Sequence, residues 1–180
     1  MDTIYRITKA IDALNDLIGR GAAWLAIVMV LLQFFVVMLR YVFSINFIMM
    51  QEGVVYLHAT LFMLGAAYAL LHEGHVRVDI FYRTASPRKK ALVDMVGSVF
   101  FLLPVCGLIM AASWPYVARS WSMLEGSMET SGIQLVFLLK SLILAFGALM
   151  ALQGIALGLS ALLTLSGHKV PEVEQDEARI

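Results

Sequence analysis

Four apolar runs, each long enough to cross a bilayer, leave this chain few ways to fold. Gly21 to Leu39 holds nineteen residues whose only strongly polar side chain is Gln33, and a helix needs roughly 20 such residues to span a ~30 Å hydrocarbon core. Gly53 to Leu71 is the second run, broken only by His58 and Thr60. The third submerges near Ala91 and leaves at Trp114-Pro115-Tyr116; the fourth, Ile133 to Leu165, has 33 residues and must tilt or protrude. Over 180 residues, 61% are hydrophobic and 14% charged, a balance foreign to soluble domains of this size. Lipid offers the backbone no hydrogen bonds, so such runs become helices. The expected fold is an all-α membrane protein with four transmembrane helices, spans 21–39, 53–71, 91–114 and 133–165.

The ends are different. Residues 1–20 place Ile4, Ile7, Ile11, Leu14 and Ile18 three and four apart, with Arg6, Lys9, Asp12, Asp16 and Arg20 on other faces. This reads as an amphipathic interfacial helix or as a polar extension of the first span. The first apolar run is longer than a signal-peptide core and continues into Arg40-Tyr41-Val42-Phe43 without a small-residue cleavage site, so it is expected to be retained. Residues 166–180 form a polar, acidic tail.

Basic residues set the orientation. With both termini cytoplasmic, Arg6, Lys9, Arg20, Arg77, Arg83, Arg88, Lys89, Lys90, Lys169 and Arg179 lie inside, against Arg40 and Arg119 outside. Lys140 is the thirteenth, within the fourth helix. The opposite orientation violates the positive-inside rule.

Local signals mark several helix ends. Glu52 is expected in the first turn of helix two, where the helix dipole favours an acid. Gly74 is expected to close that helix in the left-handed conformation. Ser86-Pro87 reads as a cap and first residue of helix three, and Pro104 is expected to kink or loosen it. Thr130 or Ser131 is expected to cap helix four. Gly147, Ala151, Gly154 and Gly158 form a small-residue seam on that helix, suited to a closely packed neighbour.

Residues able to do chemistry are sparse. His58 is the one ionisable group deep in helix two, and it draws attention for that reason. A bis-histidine haem needs a second histidine at the same depth, but His72 lies fourteen residues away, about 21 Å of helix rise. His72-Glu73-Gly74-His75 lacks the spacing of a zinc-protease motif. No phosphate loop or nucleophile elbow is present, and a net charge of zero gives no field for nucleic acid. No catalytic residue, metal or cofactor is expected. Cys106, the single cysteine, reads as a small core side chain. Lys140 either snorkels or pairs with Glu125 or Glu129. Arg77 and Asp79, within apolar Val76, Val78, Ile80 and Phe81, form either a solvated turn or a contact with another subunit.

Arg40-Tyr41-Val42-Phe43 after helix one, an acid opening helix two, and Gly74-His75-Val76-Arg77-Val78-Asp79-Ile80-Phe81 after it resemble the DctQ-type small membrane subunit of tripartite ATP-independent periplasmic (TRAP) transporters. Pro104 and Glu125-Gly126-Ser127 extend the likeness over roughly residues 20 to 165. Met49-Met50-Gln51-Glu52 departs from the family habit of a tryptophan and two acids. The resemblance implies a non-enzymatic subunit in a bacterial inner membrane. Its implied partners are a large multi-spanning subunit that moves organic anions (carboxylates) on a sodium gradient, a periplasmic substrate-binding protein, and membrane lipid. On that reading His75, Arg77, Asp79, Gly147, Ala151, Gly154 and Gly158 serve subunit and helix packing, and Glu52 and Glu125 serve docking of the binding protein. A respiratory-complex anchor and a self-assembling channel or small transporter are the alternatives.

Overall fold

In a computed structural model, residues 2–75 and 85–166 are described, and every regular element among them is helical. Helix α1 runs Asp2–Val42, α2 Ile48–Leu71, α3 Pro87–Ser122 and α4 Val136–Leu165. Among the described residues these are four helices long and apolar enough to cross a membrane.

Helix α1 is unbroken for 41 residues, about 60 Å and roughly twice a hydrocarbon core. The polar segment 2–20 therefore continues the helix of the first apolar run without a turn between them. The chain then reverses at Ser44, whose φ of 55° is left-handed, and the N–H of Ile45 bonds back to the Leu39 carbonyl at 3.0 Å.

Several helix ends differ from the sequence expectation. α2 begins at Ile48, so Glu52 lies a full turn inside the helix instead of in its first turn. Gln51 anchors this start by donating its amide to Asn46. At the far end Glu73, and not Gly74, is the left-handed residue, with φ 54°. Its N–H bonds to Leu70 O at 3.3 Å and that of Gly74 to Ala69 O at 2.7 Å, the paired closure of a Schellman motif. Gly74 serves close approach: a Cβ there would lie 3.3 Å from the Ala69 carbonyl oxygen.

Helix α3 starts at Pro87 behind an extended Ser86, as its sequence predicts, although the serine side chain makes no cap bond. Pro104 acts as expected too. The residues before it, Gly97–Leu102, form a π-helical segment, and the N–H of Leu103 reaches back five residues to Ser98 O. A proline ring clashes with the carbonyl four residues earlier and offers no donor, and a widened turn relieves both problems. The helix then runs on past Pro115 to Ser122, where a left-handed Leu124 and a Glu125 N–H to Ser120 O bond of 3.0 Å close it.

Helix α4 begins at Val136 behind Leu135, later than a Thr130 or Ser131 cap would place it. It is the hub. It packs against α3 on one side and the α1–α2 hairpin on the other. Ala67, Cys106, Leu149 and Met150 form the buried centre, ringed by Ile18, Leu64, Leu70, Leu102 and Phe146. Cys106 is 2% exposed, a core side chain as its setting predicted. Small residues bring the backbones together: a Cβ on Gly154 would lie 2.9 Å from Leu102, and one on Gly147 2.7 Å from Met110.

Candidate functional site

The chemistry of this bundle is gathered at its two ends. At the end bearing the 44–47 and 123–135 loops, Glu52 of α2 grips the loop between α3 and α4. One carboxylate oxygen accepts from Ser127 Oγ at 2.5 Å, and the other accepts the Ile133 N–H at 2.6 Å. That second bond holds the Ile133 N–H in the loop just ahead of α4. Gly132 is buried here, and a Cβ on it would come within 2.7 Å of the Glu52 carboxylate.

Beside this clasp, Lys140 Nζ donates to Glu125 Oε2 at 2.5 Å and lies 4.1 Å above the centre of the Tyr116 ring. Of the two readings of Lys140, pairing with Glu125 is the observed one. The ammonium holds the Glu125 carboxyl below the ordinary glutamate range. Trp121 donates its indole N–H to Ser141 Oγ at 2.7 Å and meets Phe137 edge to face at 4.8 Å. Met128 at the loop tip is fully exposed, and Met123 and Leu124 are nearly two-thirds exposed.

At the opposite end, α1 is bound to α4 and α2 by polar side chains. Asn15, 1% exposed, donates its amide to Gln153 Oε1 at 2.6 Å. Gln153 in turn donates to Asp12 at 3.0 Å. Asp16 joins Arg20 at 2.8 Å and His72 at 3.1 Å. Gly19 lies so close to Tyr68 that any Cβ would collide with its ring.

The residues singled out from sequence fall in different places. Glu52 and Glu125 are neighbours in one loop-binding assembly, with their carboxylates turned to partners inside the chain. Gly147, Ala151, Gly154 and Gly158 face the interior, where Met110, Leu102 and Ser98 meet the glycines and Ala151 packs on the core. His75 is exposed just past α2. Arg77 and Asp79 lie outside the described residues. His58 is exposed on α2, its ring stacked on Phe62 at 6.3 Å. Asn15, Gln153 and Ser127 were missed. Gln153 carried a usable signal, as a lone amide deep in an apolar run; Ser127 stood in the Glu125-Gly126-Ser127 string, which gave no hint of its bond to Glu52.

The family model for the DctQ component of tripartite ATP-independent periplasmic transporters matches residues 29–164. The chain belongs to the DctQ family. This is a family of transporter membrane components, not enzymes, and the four long apolar helices agree with a membrane permease subunit. A curated relative, the C4-dicarboxylate TRAP transporter small permease protein DctQ of Vibrio cholerae serotype O1 (strain ATCC 39315 / El Tor Inaba N16961), is 31% identical over 98 residues. That alignment covers 52% of this chain and 42% of the relative, so the chain spans less than half the length of that DctQ protein. No solved structure matches.

Proposed function

We propose that this chain is the small subunit of a sodium-driven TRAP transporter for organic anions in a bacterial inner membrane, where it braces the large transport subunit and helps dock the periplasmic binding protein. The observation that carries the reading is the pair of polar assemblies at the two ends. They tie all four helices into one unit and turn their polar and charged groups toward partners inside the chain, as a rigid support requires and a substrate site does not. Family membership supports a tripartite assembly with a larger membrane component and a periplasmic binding protein.

Glu52 and Glu125 serve docking through the loop they hold. They fix Gly126 to Ile133 so that Met123, Leu124 and Met128 stand out as an apolar contact for the binding protein. Both termini and the 75–87 connection face the cytoplasm, in keeping with the distribution of Lys and Arg. His75, Arg77 and Asp79 meet the large subunit at that surface, and the glycine seam serves assembly by setting the spacing of α3 and α4.

The test is to delete this chain from its native host and measure uptake of C4-dicarboxylates and related organic anions, with and without a sodium gradient. Loss of sodium-dependent uptake, restored by the wild-type chain and not by a Met128→Asp variant, is expected. Undiminished uptake in the deletion strain overturns the proposal.

A further inference from the structure

Gln33 and His58 are exposed on helices α1 and α2, and they line one groove of about 370 Å³ together with Met29, Val30 and Val54. Gln33 lies seven residues before Arg40, and His58 six residues after Glu52. Both therefore sit about 9–10.5 Å of helix rise inside the same end of the bundle, at a depth read as hydrocarbon from the lengths of the apolar runs. Among the described residues neither has a hydrogen-bond partner, and the His58 ring stacks on Phe62. Two polar side chains left open to lipid at that depth are costly unless something meets them.

Below His58 the same face of α2 continues through Phe62, Gly65 and Ala69, at helical spacings of four, three and four. A Cβ on Gly65 would touch nothing, as is also true of Gly97 and Gly107 on α3, so the two faces differ in their hydrogen-bonding side chains and not in open glycines. Unlike Gly147 or Gly154, this glycine weakens its helix without serving any contact inside the chain. The outward face of α3 makes the contrast. Its groove is lined by Leu92, Val93, Val96, Gly97 and Phe101, and from Val99 to Ala112 the helix offers no hydrogen-bonding side chain except the buried Cys106. An acyl chain suits that surface fully. It does not suit the α1–α2 groove, since acyl chains carry no donors or acceptors and headgroups lie shallower than Gln33 and His58.

We propose that the α1–α2 groove seats a transmembrane helix of the large subunit, one that brings hydrogen-bonding side chains to Gln33 and His58 and lies close over Gly65. This rests on the proposed role as a brace and specifies the face through which it acts. The α3 face is then the lipid-facing side of the assembly.

The test is photocrosslinking in native membranes of the complete transporter, with p-benzoylphenylalanine placed at Val30 in the groove or at Val96 on α3. The Val30 probe should capture the large subunit, and the Val96 probe lipid alone. In parallel, a Gln33→Leu, His58→Leu double variant should lower co-purification of the large subunit about three- to tenfold, from typical interhelical hydrogen-bond strengths. The variant chain itself should remain monodisperse, because leucine suits lipid better than either native side chain. Capture of the large subunit from Val96, with only lipid or quinone adducts from Val30, overturns this inference and leaves the brace intact. Failure of the wild-type tagged chain to recover any large subunit overturns the brace itself.

Discussion

Glu52 reads in sequence as an acid near a helix start, and in the fold it organises a loop. Its two oxygens accept from Ser127 and Ile133, and an alanine in its place would leave the Ile133 N–H and the Ser127 hydroxyl without that acceptor. Glu52→Ala should therefore loosen the 123–135 loop while leaving helix content unchanged. Limited proteolysis in mild detergent should show cleavage there severalfold faster, against an unaltered far-ultraviolet spectrum. Glu125 gives a pH signature. Lys140 depresses its carboxyl in the folded state, so the pair's contribution is full above the unfolded glutamate pKa of about 4.3 and is lost as pH falls through the lower folded value. The thermal midpoints of wild type and Glu125→Gln should differ at pH 7 and converge in strong acid. A difference that persists in acid would mean that the glutamine disturbs packing rather than charge.

At the scale of the helix, the glycine seam separates into positions that differ by a few tenths of an ångström. At Gly154 a leucine would have to enter the space of Leu102 and Leu103, and overpacking of that kind costs about 1–3 kcal/mol. At Gly158 an added methyl would meet Ser98 and Val99 at 3.5–3.9 Å, ordinary contact, so Gly158→Ala should stabilise α4 by about 0.5–1 kcal/mol. Unfolding in mixed micelles measures both, and equal effects at the two sites would show that the seam is not in close contact with α3. The amides make a second case. Asn15 and Gln153 are buried against each other from α1 and α4, and a double-mutant cycle with alanine should give a coupling of about 0.6 kcal/mol, up to ~1.7. The cycle also tests whether the polar half of α1 is held against the bundle.

For the whole molecule, the proposed orientation places Met128 outside the membrane and Ser86 inside. A cysteine at position 128 should react with an impermeant maleimide on intact spheroplasts, and one at position 86 only after lysis. Native Cys106, 2% exposed, should stay silent in both. Together with the groove at Gln33 and His58, this orientation would give the proposed brace distinct faces: a proposed docking loop outside, a proposed helix-binding face on α1 and α2, and a lipid face on α3. The family likeness was legible in short motifs, notably the run from Gly74 to Phe81, because those residues are adjacent in the chain. The four long apolar helices among the described residues and the disturbance at Pro104 were legible for a related reason. Hydrophobic length and backbone hydrogen bonding depend on residues close in sequence. Which polar group meets which was a different matter, since Asn15 and Gln153 are 138 residues apart and Glu52 and Ile133 are 81 apart. Only the packing of α4 between α3 and the α1–α2 hairpin brings such groups within hydrogen-bond reach. The same packing turned the glycine seam inward and left Gln33 and His58 on an open face, because burial belongs to the arrangement of helices and not to any one of them.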